Sequence, residues 1–160
     1  MAEALLEAGA ETVIFGTSEK VFDTAAEYVR KGYKCHGVVM DLADQKSRET
    51  AFAQALSLLG GRLDILVNAA GIQRRHRCEE FPLQDWQEVI EVNLTSLFAM
   101  CQMAGIKMIE QGRGKIINIA SMLTFQGGIR VPSYTSSKSG VMGLTKLLAN
   151  EWAKYNINVN

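Results

Sequence analysis

Residues 63–71 read LDILVNAAG. The run of Leu63, Ile65, Leu66 and Val67 gives way at once to Asn68, Ala69, Ala70 and Gly71, the pattern of a buried strand that leaves its sheet through a turn needing small side chains. Lys115–Ile119 repeats the pattern and runs out into Ala120 and Ser121. Thr12–Gly16, Gly37–Asp41 and Ile157–Asn160 are further short apolar runs. Between them lie stretches with helical spacing of apolar residues: Glu19–Arg30, Ser47–Leu59, a long one from Leu83 to Ile109, and Ser133–Lys154. The opening MAEALLEAGA reads as a helix stopped by Gly9. Strands alternating with helices of ten or more residues predict βαβ units, hence an α/β fold with a doubly wound parallel sheet covered on both faces. Pro82 and Pro132 both stand at helix starts, where a missing N–H is harmless. With no linker or low-complexity tract, residues 1–160 read as one domain or part of one.

The composition narrows the function. The chain is 48% hydrophobic and 21% charged, with 17 Lys and Arg against 17 Asp and Glu. That balance describes a folded soluble domain and offers no electrostatic footprint for nucleic acid or an anionic membrane surface. At this length roughly 70% of the unfolded chain's surface can be buried, so the core needs no metal or disulfide. Cys35, Cys78 and Cys101 are odd in number and widely spaced, the usage of a reducing compartment, and a cytoplasmic location is expected. His36 beside Cys35 and His76 near Cys78 lack the paired spacing of a tetrahedral site, so no metal is expected. Glu3 and Glu7 stand where a secretory signal carries positive charge. The longest apolar runs are read as far short of the roughly 20 residues a membrane span needs.

Tyr134 and Lys138 lie four apart at the start of a predicted helix and share one face. An ammonium beside a phenol favours the phenolate and draws a pKa of about 10 toward working pH, as a general acid or base requires, although a plain surface pair has the same spacing. Ser121 follows its strand directly, at the carboxyl edge where open α/β sheets bind ligands, and Met122–Ser133 reads as a loop returning Tyr134 to that edge. A serine there can hydrogen-bond a substrate oxygen or simply cap a turn. Asn93 falls inside the helical stretch Trp86–Met108, where asparagine competes with the helix backbone; an inserted water or backbone group would account for it. Arg74, Arg75 and Arg77 crowd the loop after Gly71, and Arg130 precedes Tyr134 by four residues. A guanidinium grips a carboxylate through two parallel bonds, so these are candidates for an anionic substrate; Arg74–Arg77 equally suits a solvated loop.

Taken in order, Asn68-Ala69-Ala70-Gly71, Asn93, Ser121, Tyr134 and Lys138 resemble the motifs of the short-chain dehydrogenase/reductase family across essentially the whole chain. The resemblance implies a Rossmann-like fold, NAD or NADP as cofactor, and hydride transfer between the nicotinamide and a secondary alcohol or ketone. It implies that Tyr134 gives or takes the proton, Lys138 lowers the tyrosine pKa and holds the nicotinamide ribose, Ser121 polarises the reacting oxygen and Asn93 supports a proton relay. Asp41 matches the aspartate that holds the adenine, and Asn68–Gly71 the turn beside the cofactor. Residues 116–160, IINIASMLTFQGGIRVPSYTSSKSGVMGLTKLLANEWAKYNINVN, with GIQRR at 71–75, are similar to family members acting on deoxygluconates. A sugar acid held by Arg130, with help from Arg74 or Arg75, is the implied substrate.

Two departures qualify the expectation. The family opens with a strand and a TGxxxGxG turn that cradles the pyrophosphate, whereas Met1 falls inside the helix that follows; the family also continues past the strand begun at Ile157. The sheet is therefore expected to be incomplete at both ends. In the order 3-2-1-4-5-6 the first strand belongs between Thr12–Gly16 and Leu63–Asn68, which leaves two unpaired inner edges. Residues 1–160 alone are accordingly expected to be marginally stable, inactive and weak in dinucleotide binding. Gly16-Thr17-Ser18 offers neither the acid of an NAD site nor a nearby base for NADP, and the sugar-acid resemblance favours NAD with NADP open. Family members pair the helices carrying the asparagine and the tyrosine into homodimers and homotetramers. Met100, Met103, Met108, Met142, Leu144, Leu147, Leu148 and Trp152 give those helices more apolar surface than one sheet face needs. Two other readings stay open: a cofactor-free or inactive binding or assembly module, and the same chemistry on a 3-oxoacyl thioester or another polyol.

Overall fold

Thr12–Gly16 forms β1 and pairs in parallel with β2, Cys35–Val39, in the computed structural model, which describes all residues from Met1 to Asn160. The chain divides into two compact units, Met1–Arg62 and Leu63–Asn160. In the first, α1 (Ala2–Glu7) precedes β1, α2 (Lys20–Arg30) crosses over to β2, and α3 (Gln45–Leu58) follows. Leu6, Ala25 and Cys35 form a buried cluster against Ile14, Tyr28 and Tyr33. The β2 strand begins and ends two residues earlier than the sequence reading placed it. Register is the reason: pairing from Thr12↔Cys35 to Gly16↔Val39 uses up β1, so Asp41 lies in the loop beyond the strand. Asp44 then caps α3, its carboxylate accepting from the Ser47 amide at 2.6 Å.

The second unit holds a parallel sheet in the order β3-β4-β5, formed by Ile65–Asn68, Gly114–Asn118 and Ile157–Val159. Leu63 was expected in the strand but stands outside it. Its amide donates to Gln111 Oε1 at 2.9 Å and its carbonyl accepts from Gln111 Nε2 at 2.7 Å, so one side-chain amide satisfies the backbone that a neighbouring strand would. α4 (Leu83–Ile90) and α5 (Ser96–Gln111) form the long expected helix, joined by a π-helical stretch, Glu91–Thr95. Ser121 is followed by a turn of helix, α6 (Leu123–Gln126), inside the segment read as loop, and α7 spans Pro132–Trp152.

Leu83–Gln111 corrects the reading that no stretch approaches a membrane span: by length and composition alone it could cross one. Here that apolarity serves packing, since Leu97, Met100, Cys101, Ala104 and Met108 are buried and the helix contacts β3, β4 and α7. Part of the surplus apolar surface expected on the two long helices is likewise core. Met100, Met108 and Leu148 are buried, while Leu147 is exposed together with Phe98 and Ile106 on α5. β1 pairs with β2 alone and β3 with β4 alone, which leaves each with one unpaired edge.

Candidate active site

The loops leaving the carboxyl ends of β3 and β4 meet the first turns of α7 and the π-helical stretch. Asn93 lies at the centre of that stretch and is 1% exposed. Its Oδ1 accepts from the Ile72 amide at 2.8 Å, its Nδ2 donates to the Ile72 carbonyl at 2.9 Å, and the same nitrogen donates to Ser137 Oγ at 3.2 Å. A backbone group does stand beside this mid-helix asparagine: Ile72, the residue just after Gly71, is held at both its N–H and its carbonyl. A π turn widens the helix by one residue, a distortion that collects at functional sites.

Ser137 continues the chain of bonds, its hydroxyl donating to the Tyr134 carbonyl at 2.8 Å. It is fully buried and was missed from sequence; its only signal is that it lies one turn past Tyr134, next to Lys138. Lys138 is 3% exposed, and its Nζ donates to the Ile119 carbonyl at 2.6 Å while lying 5.9 Å from the centre of the Tyr134 ring. Burial holds its pKa below the ordinary lysine value. A Cβ on Gly71 would come within 3.3 Å of Asn93 Oδ1 and 3.5 Å of Lys138 Nζ, so a larger residue would press on both side chains. Ser121 Oγ accepts from the Leu123 amide at 3.2 Å, the turn cap considered from sequence, which leaves its hydroxyl proton free to donate elsewhere.

Asn68 points elsewhere than its neighbours in the turn. Its Nδ2 donates to Asn118 Oδ1 at 2.9 Å and lies 3.3 Å from Cys101 Sγ, while Asn118 Nδ2 donates to Thr145 Oγ1 at 3.0 Å. This polar knot ties β3, β4, α5 and α7 together below the site, and burial pushes the Cys101 thiol up to about 11. Ala69 and Ala70 are exposed beside it.

The arginines separate. Arg74 is engaged by Glu88 at 2.8 Å, and Arg77 lies 3.8 Å from Glu79. Arg75 and Arg130 are exposed and form no ion pair. Arg130 adopts φ 64°, and its carbonyl accepts from the His76 amide at 3.1 Å, which sets the two arginine-bearing loops side by side.

In the first unit, an open cleft of about 310 Å³ lies at the carboxyl end of β1 and the start of α2, lined by Phe15–Ser18, Lys20, Val21 and Thr24. It offers one cation and three hydroxyls, and no carboxylate lines it. Asp41 Oδ1 accepts from the Ala43 amide at 2.9 Å in the loop after β2.

The residues fit a nicotinamide dinucleotide. A buried ammonium carries three donors, and Lys138 places only one of them on a protein acceptor, the Ile119 carbonyl. The remaining two suit ribose hydroxyls, and the side-chain-free Gly71 leaves room beside them.

Comparison with known proteins agrees. Residues 1–160 match the family described as short chain dehydrogenase. The chain is 48% identical over 161 residues to the 2-dehydro-3-deoxy-D-gluconate 5-dehydrogenase of Dickeya dadantii (strain 3937), covering 100% of this chain and 63% of that protein. It is 43% identical over 162 residues to the 3-oxoacyl-(acyl-carrier-protein) reductase of Aquifex aeolicus (strain VF5), 100% of this chain and 65% of that one. The crystal structure of a gluconate 5-dehydrogenase from Burkholderia cenocepacia J2315 in complex with NADP and tartrate superposes with a TM-score of 0.93 at 35% identity, over 99% of this chain and 62% of that one. The chain thus spans a little under two thirds of the length of these relatives.

Proposed function

The chain belongs to the short-chain dehydrogenase family, and from that premise we propose that it carries the catalytic part of an NAD(P)-dependent oxidoreductase that interconverts a secondary alcohol and a ketone on a sugar acid. The observation that carries this reading is the buried ammonium of Lys138, fixed by the Ile119 carbonyl on the same helix face as Tyr134. The dinucleotide, when bound, supplies the hydride chemistry. Lys138 holds the ribose hydroxyls with its two remaining N–H groups, and its charge lies 5.9 Å from the centre of the Tyr134 ring. Tyr134 moves the proton, while Ser121 hydrogen-bonds the reacting oxygen. Asn93 fixes the Ile72 peptide and supports the relay that returns the proton to solvent. Asp41 is assigned the adenine, and Ala69, Ala70 and Gly71 the wall beside the cofactor; Asn68 supports that turn from below. Residues 1–160 are read as one partial dinucleotide-binding domain with a small-molecule substrate.

Arg130 and Arg75 grip the substrate carboxylate; Arg74, the other candidate, is paired with Glu88. For the cofactor, the cleft after β1 favours NADP(H) over the NAD expected from sequence. Lys20 and the hydroxyls of Thr17 and Ser18 line the cleft after β1, where an acid would repel a 2′-phosphate. Relatives named for gluconate or deoxygluconate substrates, one of them holding NADP, support both choices.

The test is turnover by the full protein. We expect a higher kcat/KM for 2-deoxy-D-gluconate than for the neutral 2-deoxy-D-glucitol. Tyr134→Phe should lower kcat by about 10²-fold or more, with the dinucleotide Kd nearly unchanged. Retention of more than about a tenth of kcat would remove Tyr134 from proton transfer.

A further inference from the structure

Arg130 and Asn156 are the two residues other than glycine with positive φ, at 64° and 58°. Asparagine adopts the left-handed region with help from its own side chain, whereas an arginine there must be held by its surroundings. The hold on Arg130 is the bond from the His76 amide to its carbonyl at 3.1 Å. His76 lies in a segment, residues 71–77, that belongs to no strand or helix. Beyond the hold of Asn93 on Ile72, the His76 ring adds a side-chain anchor at the far end of the segment: Nε2 lies 2.7 Å from Asp85 Oδ2, and the ring meets Phe81 edge-on at 5.3 Å and 90°. Asp85 sits in the first turn of α4, and Glu88, one turn further along, takes Arg74. One helix therefore grips the segment twice, at residues 74 and 76. The residue between the two grips is Arg75, and across the His76 amide bond stands Arg130.

We propose that His76 is a positioning residue for carboxylate recognition: by locking its ring on Asp85 it holds the backbone that fixes Arg130 and presents Arg75 and Arg130 as a pair of uncommitted guanidiniums. The inference rests on the reading of these two arginines as the substrate clamp. Two planar donors held about a carboxylate lose less freedom on binding than two floating side chains, so the benefit falls on acid binding rather than on the chemical step. A histidine that merely stabilised the loop would affect acidic and neutral substrates alike.

The experiment measures kcat/KM of the full protein for 2-deoxy-D-gluconate and for 2-deoxy-D-glucitol. His76→Ala is expected to lower the acid-to-neutral ratio about tenfold, through KM rather than kcat. His76→Gln, which keeps a donor for Asp85, should restore most of the ratio and keeps the test valid where the alanine variant folds poorly. In an Arg130→Ala background, His76→Ala should cost nothing further in the ratio. Equal losses on both substrates, or full additivity with Arg130→Ala, would overturn the positioning role while leaving the clamp in place. An Arg130→Ala variant that keeps the acid preference would overturn the clamp itself, and with it the role of His76.

Discussion

At the scale of single residues, Lys138 has the sharpest consequence. Its ammonium is buried and its pKa lies below the ordinary lysine value because of desolvation. The unfolded chain therefore holds the proton more tightly than the folded one. The buried charge costs stability at pH below the folded pKa, and stability rises with pH through the window between the folded and unfolded values. Function runs the other way. Once Lys138 loses its proton, its hold on a ribose and its field at Tyr134 both fade, so we expect an alkaline limb in kcat/KM at lower pH than a surface lysine would give. Lys138→Arg, which stays charged, should remove that limb although its overall rate is lower. A wild-type profile flat to high pH would contradict the assignment. Tyr134, Lys138, Ser121 and Asn93 were legible from sequence because they combine a motif with helical or strand-end spacing. Ser137 was not, since a helical serine has no signature until its partner Asn93 is in place. Arg130 was the preferred arginine on paper because it stands four residues before Tyr134, with Arg74 or Arg75 as help; that Glu88 reaches Arg74 from α4 was not visible in the sequence.

Among the elements, packing decides against local propensity at Gly105 in α5. Glycine costs roughly 0.5–1 kcal/mol relative to alanine inside a helix. A Cβ at this position, however, would stand 2.5 Å from Trp152 Cη2, and overpacking costs typically 1–3 kcal/mol. The ring wins, so Gly105→Ala should destabilise the fold by about 1–2 kcal/mol, read as a lower denaturation midpoint with unchanged slope. At the β1–α2 junction, Lys20→Ala should weaken NADPH binding by roughly tenfold and leave NADH binding little changed, a difference titration calorimetry resolves; one charge-assisted contact to a phosphate has about that magnitude. Equal losses for both dinucleotides would remove Lys20 from phosphate recognition. Strand and helix identities followed from periodicity, but their ends did not. The end of β2 depends on how far β1 extends, and the start of β3 on a glutamine side chain from α5, and neither is written in the local sequence. The π turn was visible only as a misplaced asparagine. It takes up one extra residue, about 100° of helical phase, between α4 and α5.

For the whole molecule, the outward face of α5 and α7 is the feature that no internal contact explains. Phe98, Ile106 and Leu147 are 45%, 60% and 53% exposed. We expect the full protein to pair copies through this face, as a homodimer or homotetramer, and Ile106→Asp to shift light scattering at micromolar concentration toward the monomer. A monomeric wild type would remove the pairing. The Asn68–Asn118 bond has a wider reach than its place in a buried knot suggests. Those residues are opposite one another in the parallel ladder, and the loops of the candidate site open three residues beyond each, at Gly71 and Ser121. A slip of one position would turn both asparagines to different faces and set the two loops at unequal heights. The pair therefore works as a benchmark, in the surveyor's sense: one amide-to-amide bond fixes the common level from which both halves of the candidate site are laid out.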